Sequence, residues 1–357
     1  MNKSSIRLSL TGTFFSGWER VSLDFDMEAL NSAFSLDLFD KEGAVTSGFK
    51  TGLDCDIYIT NTDYGVDQKV IPGFITNTTR AIADTTNTMT VSGSDRLVDI
   101  VDCAALYEQK TWLNKRFSSI ITDLLKPFSL KVDIRELRDD PIIKKFTLQS
   151  GETAFSSIER LCRSQAVLPL STFDGDLLLT YAADMAKRAL VDLELGVNIK
   201  RLTETADWTE RFSEYIGVGQ YPGGGKKWTK QMLQGKSVAE DVGVTRYRPM
   251  LFVAEGKAER ASLDKRVRWE AQIRSGRATE YSVEVDGWFQ KDPFGRPLKL
   301  WEKNERVNLK ADYWDIDKDL LITKVAMSLN ENGEMTTLTL KHPDIFKPDP
   351  TEKVDLT

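Results

Sequence analysis

Val21-Ser22-Leu23-Asp24-Phe25 alternates apolar and polar residues without a break. Successive side chains of a strand point to opposite faces, so this pattern describes half-buried antiparallel sheet. The same alternation recurs at Ile6-Arg7-Leu8-Ser9-Leu10, Phe34-Ser35-Leu36-Asp37-Leu38 and Asp56-Ile57-Tyr58-Ile59, with Gly12, Gly17, Gly43, Gly48, Gly52 and Gly65 as punctuation. Many short strands with turns between them predict a small barrel or sandwich over residues 1–100.

The period changes over residues 101–190, where a mixed α/β domain is expected. Asn114 to Lys126 places Phe117, Ile120, Ile121, Leu124 and Leu125 on one helical stripe that Pro127 ends, and a second helix opens at Ser150-Gly151-Glu152 and carries Ala154, Phe155, Ile158, Leu161 and Cys162. Asp174-Gly175 reads as a tight turn between two strands. Strands return over 191–345, interrupted by a loop-helix insertion at about 222–280, and 346–357 forms a tail. The stretch from Ala258 to Arg277 is helical and charged, with only Leu263, Val267 and Ile273 as an apolar stripe; strands are expected at Tyr281 to Trp288, Arg306 to Leu309, Leu320 to Leu329 and Met335 to Leu340. An internal echo links the first and last regions. Phe74-Ile75-Thr76 leads through a polar turn to Met89-Thr90-Val91, as Leu321-Ile322-Thr323 leads to Met335-Thr336-Thr337-Leu338.

Composition removes whole classes of function. With 41% hydrophobic and 29% charged residues among 357, the chain has the material for real cores and is not a disordered polymer. Its 48 basic residues against 54 acidic give a net charge of -6, which argues against general affinity for duplex DNA. No apolar run reaches the ~18 residues of a spanning helix, and the opening residues MNKSSIRLSL offer no apolar core followed by a cleavage site, so neither stable membrane insertion nor a secretory leader is expected. Cys55, Cys103 and Cys162 are far apart among apolar neighbours and read as buried free thiols.

Catalytic and metal motifs fail one after another. The only histidine, His342, precedes Pro343 at a strand end, so histidine-based nucleophile activation lacks material. Tyr221-Pro222-Gly223-Gly224-Gly225-Lys226-Lys227 imitates a phosphate cradle, but Gln220 stands where the first glycine belongs and Lys227 where a hydroxyl should be. Asp315, Asp317 and Asp319 imitate a calcium loop, yet Leu320 and Ala326 occupy the positions of its glycine and its last carboxylate. No cofactor or metal is expected. Most of the eight tryptophans are expected in the core.

Val91-Ser92-Gly93-Ser94-Asp95-Arg96-Leu97-Val98-Asp99-Ile100-Val101-Asp102-Cys103-Ala104-Ala105 resembles the signature of the Mu-like phage tail proteins that form the baseplate hub. Further matches follow in order: Pro127-Phe128, Gly151-Glu152-Thr153, Asp174-Gly175-Asp176-Leu177, Leu195-Gly196-Val197-Asn198-Ile199, Arg211-Phe212-Ser213-Glu214-Tyr215, Pro293-Phe294-Gly295-Arg296 and Leu320-Leu321-Ile322. Ser94 departs from the pattern, which usually has a basic residue there. The resemblance implies a mainly β fold with α+β parts, two small β-barrel domains plus peripheral α/β domains, and no catalysis. It also implies a homotrimer whose six related barrels join a tail tube and baseplate proteins to a spike, with a channel through which DNA only passes. Such a protein is assembled in the bacterial host cytoplasm and resides in the virion tail baseplate. Tyr221, Gly223, Gly224, Gly225, Lys226 and Trp228 are the candidate docking loop. A tail-associated peptidoglycan hydrolase or a carbohydrate-binding module is the alternative.

Overall fold

A computed structural model describes residues 4–39, 48–83, 86–182, 187–220, 234–257 and 260–347. The protein is mainly β, and its largest element is a 14-stranded sheet that takes strands from both ends of the chain. Alternation explains the amino-terminal part: in Arg20–Asp26, Val21, Leu23 and Phe25 are buried while the residues between them are half-exposed. From there the ladder runs through Ala33–Phe39, Thr86–Asp95, Val66–Ala83 and Asp54–Asn61 to Ser5–Leu10 and Thr13–Phe15. The carboxy-terminal part runs from Ile199–Ala206 through Thr279–Asp286, Gly333–Lys341 and Ile316–Asn330 to Glu305–Ala311. The two parts meet where Ile316–Asn330 pairs antiparallel with Arg20–Asp26. One apolar core runs under both.

The echo in the sequence is a repeat in the structure. Val66–Ala83 with Thr86–Asp95 and Ile316–Asn330 with Gly333–Lys341 are long hairpins, and each carries a one-residue bulge at the corresponding threonine, Thr76 and Thr323. Each bulged hydroxyl donates to a carbonyl of its partner strand, Ser92 O at 3.4 Å and Thr339 O at 3.2 Å. A 3-10 turn precedes each hairpin, Thr62–Tyr64 and Asp312–Trp314, and each ends on a left-handed residue, Gly65 and Asp315. The neighbouring strand keeps the same register in both halves: Phe34 lies opposite Gly93 as Tyr281 lies opposite Leu340, and Val21 opposite Leu36 as Leu202 opposite Val283. Even an exposed ion pair is duplicated, Arg20 to Asp37 at 2.9 Å and Arg201 to Glu284 at 3.7 Å.

Residues between the halves form a second core. Phe117–Leu125 buries Phe117, Ile120, Ile121, Leu124 and Leu125 as expected, but it starts later than Asn114 because Thr111–Arg116 is a strand paired with Ile142–Thr147. Pro127 does not end the turn outright; Lys126–Phe128 continues as a 3-10 segment with the proline in its first turn, where its missing N–H costs nothing. Ala154–Ser164 is capped by the Thr153 hydroxyl, which accepts from the Ser156 N–H at 3.1 Å. Leu168–Ser171 and Leu177–Thr180 flank the Asp174-Gly175 turn.

A third unit lies between Ile199–Ala206 and Thr279–Asp286. There Glu214–Gln220, Gln234–Glu240 and Pro249–Lys257 form a small sheet under the helix Arg260–Arg277. Leu263 and Val267 pack on Tyr215, and a Cβ on Gly217 would come within 2.6 Å of Val267, so glycine lets the helix sit close. Cys55 and Cys162 are buried, whereas Cys103 is exposed, against expectation. Cys103 ends the short helix Val98–Asp102, and its backbone holds that joint: its N–H donates to Asp99 O and its carbonyl accepts from Ala154 N–H. The side chain is left to solvent. Trp18, Trp112, Trp288 and Trp301 are buried, while Trp208 and Trp314 are exposed and Trp269 is half-buried.

Candidate functional site

Glycine decides the local path of the signature segment. A Cβ on Gly93 would lie 2.0 Å from the carbonyl oxygen of Phe74 and 2.7 Å from the Phe34 ring, so no other residue fits where the two strands close on each other. Two residues on, Asp95 is 1% exposed and ends the strand. Its carboxylate accepts from Ser32 N–H at 2.7 Å and Leu97 N–H at 3.0 Å, which starts the chain into Val98–Asp102. Ser94, the departure from the pattern, has its hydroxyl 3.2 Å from the Asn31 amide, which donates to it.

Asp95 belongs to a buried polar junction of all three parts of the chain. Lys303, from the carboxy-terminal region, donates from Nζ to Asp26 O and to Ser171 Oγ, both at 2.9 Å. Ser171 comes from the middle region, and its hydroxyl lies 3.2 Å from that of Ser32. A small apolar core beside it repeats the theme with Met27, Leu170 and Leu321, one residue from each part. Burial pushes the Asp95 carboxyl up to about 6, against hydrogen bonds from Ser32 and Leu97 and the nearby Lys303 charge. Burial pushes the Lys303 ammonium down to about 8, opposed by Asp95 and Asp26.

A cleft of about 670 Å³ opens over this junction, lined by Lys69, Arg135, Glu136, Asp174, Lys187 and Glu302 among others. Several of its charges are engaged: Arg135 binds Asp133 at 2.6 Å, and Lys187 pairs with Glu136. Glu305 at its floor is 2% exposed, pairs with Lys299 and accepts from Gln290 Nε2 at 3.0 Å, and burial raises its pKa. A serine beside a lysine of lowered pKa has the chemistry of a nucleophile–base pair. Here the lysine also holds the Asp26 carbonyl and the serine touches Ser32, so the pair ties three chain regions together.

Most of the sequence candidates fall elsewhere. Tyr221, Gly223, Gly224, Gly225, Lys226 and Trp228 lie outside the described residues. His342 Nδ1 accepts from Asp344 N–H at 3.3 Å and so caps the turn Pro343–Phe346. Asp317 accepts from Asn308 at 2.8 Å and Asp319 pairs with Arg188 and Arg306, which makes them cross-strand partners. Among the described residues no helix is long and apolar enough to cross a membrane. Sequence reading missed Lys303, Ser171 and Ser32, because no local spacing connects residues so far apart. Asp95 stood within the signature, and its place directly before a helix start was the available signal.

Comparison with known proteins gives this architecture a class. Three family models match in succession: a Mu phage baseplate assembly protein GpP-like amino-terminal domain over 5–95, the second domain of baseplate hub protein gp44-like proteins over 98–181, and the fourth domain of GpP over 259–349. This is a structural protein of a phage tail baseplate. The baseplate hub protein gp44 of Escherichia phage Mu is 30% identical over 94% of this chain and 86% of its own length. The chain therefore belongs to the gp44 family of baseplate hub proteins. The crystal structure of the 43 kDa tail protein of prophage MuSo2 from Shewanella oneidensis superposes with a TM-score of 0.81, at 26% identity, covering 96% of this chain and 99% of that one. The E. coli c3393 protein, a component of the type VI secretion system, shares the fold with a TM-score of 0.54 at 11% identity, over 94% of this chain and 76% of that one. The gp44 relatives are structural proteins, not enzymes, and the tied Ser171–Lys303 pair agrees with that role.

Proposed function

We propose that three copies of this chain close around a hollow axis to form a hub ring, which joins the tail tube to the spike and leaves a passage for DNA. One observation carries the reading. The five strands Arg20–Asp26, Ala33–Phe39, Thr86–Asp95, Val66–Ala83 and Asp54–Asn61 recur in the same order, the first four of them also in the same register, as Ile199–Ala206, Thr279–Asp286, Gly333–Lys341, Ile316–Asn330 and Glu305–Ala311. A subunit with two like units gives a ring of six when repeated three times, so a threefold spike can meet a sixfold tube. In this reading each set of five strands is the wall of a small barrel. The chain divides at 1–100, 101–190 and 191–345, with the small sheet and helix as an insertion in the last. A net charge of -6 suits a passage that does not retain phosphates. Assembly takes place in the host cytoplasm before the ring enters the virion.

Light scattering on the purified full chain tests the reading. The expected mass is three times the 40.3 kDa subunit, with six lobes in negatively stained end views. A chain that remains at the subunit mass at all concentrations overturns it.

A further inference from the structure

The repeat also determines how neighbouring copies would join. Within the chain the carboxy-terminal half meets the amino-terminal half along one seam, where Val325 lies opposite Phe25, Met327 opposite Leu23 and Leu329 opposite Val21. Each strand of this seam has a counterpart in the other half. The outer arm of Val66–Ala83 corresponds to that of Ile316–Asn330, because both follow the bulged threonine of equivalent hairpins. Ile199–Ala206 corresponds to Arg20–Asp26, because both pair with the equivalent next strand in the same register. The counterparts do not meet within one subunit. Among the described residues Thr86–Asp95 is the only strand that pairs with the outer arm beyond the bulge, and Ile199–Ala206 ends the sheet.

We propose that a second copy of this chain fills that gap. Its Ile199–Ala206 would pair antiparallel with the outer arm of Val66–Ala83, in a register that sets Thr79 opposite Thr205, Arg80 opposite Glu204 and Ile82 opposite Leu202. The inference rests on the trimer reading and names the surfaces that make the trimer.

The side chains agree with a register that topology alone dictates. Leu329 opposite Val21 becomes Ile82 opposite Leu202, so apolar again meets apolar. Ile82 is 85% exposed in the single subunit, near the end of a hairpin where a lone molecule gains nothing from it. Met327 opposite Leu23, both 0% exposed, becomes Arg80 opposite Glu204, a pair of opposite charges in directly facing positions. Glu204 is held in place by the Tyr281 hydroxyl, which donates to it at 2.9 Å. Charges on both open edges keep the single subunit from adding strands indiscriminately, because only this register sets opposite charges facing each other. Three seams within subunits and three between them then make a ring of six.

The test uses sedimentation equilibrium on the full chain. Arg80→Glu and Glu204→Arg each raise the concentration at which the trimer dissociates by about tenfold or more, while the combined reversal restores it to within about threefold, since the pair is again opposite in sign. Independently, Thr79→Cys with Thr205→Cys, in a Cys103→Ser background that removes the exposed native thiol, yields a closed disulfide-linked trimer on a non-reducing gel. A wild-type trimer that both single reversals leave unchanged and that the cysteine pair does not link overturns the seam and leaves the trimer standing. A wild-type chain that never exceeds the subunit mass overturns the trimer and the seam with it.

Discussion

Ile316–Asn330 and Val66–Ala83 are equivalent hairpin strands in opposite circumstances. The outer arm of the first is covered by Arg20–Asp26, and alternate residues along it, Val325 and Met327, are fully buried. The outer arm of the second has no such strand beside it among the described residues, and the matching residues are Thr78 and Arg80. The backbone plan is the same, so neighbours rather than local propensity set the composition. The covered arm is apolar at alternate positions along its length, whereas the other is polar at its centre and apolar near its tip. Arg20–Asp26 and its counterpart Ile199–Ala206 show the same contrast. Leu23 is buried in the covered seam, whereas Glu204 takes its place on the open edge.

The sharpest way to break this comparison is to treat the two positions alike. Leu23→Ala removes a fully buried side chain and is expected to cost about 2–5 kcal/mol in urea unfolding, whereas Glu204→Ala changes the stability of the single subunit by less than about 0.5 kcal/mol. Equal losses at both sites would refute the claim that only one of these seams is complete within a chain. Next in size is Gly93, which faces Phe34 where Leu340 faces Tyr281. Gly93→Ala forces a Cβ against the Phe74 carbonyl and is expected to cost about 1–3 kcal/mol; an unchanged unfolding midpoint would show that the strands can part there.

The smallest effect concerns two equivalent positions, Asp95, which ends its strand, and His342, which directly follows the counterpart strand. Each accepts from the N–H two residues on, but Asp95 is buried in the junction and His342 is exposed. The Asp95 carboxyl titrates near 6 in the fold, above its ordinary 3.8. The fold therefore favours its protonated form. That contribution is complete below the unfolded pKa and is lost as pH rises through about 6. Melting temperatures between pH 7 and 4 should fall more steeply for Asp95→Asn than for the wild type. Parallel curves for Asp95→Asn would remove Asp95 as the perturbed group.

Much of this was legible in the residues. Alternation at Val21 to Phe25 and Phe34 to Leu38 gave the strands and their buried faces, since a period of two leaves only one face to bury. The stripes at Phe117 to Leu125 and Ala154 to Cys162 gave both helices of the middle region. The Phe74 and Leu321 echo gave the repeat. Cys103 misled because apolar neighbours in sequence do not ensure apolar neighbours in space at a joint. The thin stripe of Leu263 and Val267 could not reveal its partner, because the deciding feature was the absence of a side chain at Gly217. The polar junction was unreadable for a related reason: Ser32, Asp95, Ser171 and Lys303 carry no mutual spacing.

By itself, then, the chain determined its strands, its helices and its membership of a family, because periodicity and motif are local properties that each segment carries alone. Tertiary structure decided which strands meet, which polar groups lose water together and which edges are left over. Those outcomes depend on contacts between distant residues, and burial, unlike periodicity, belongs to no segment until the others are in place.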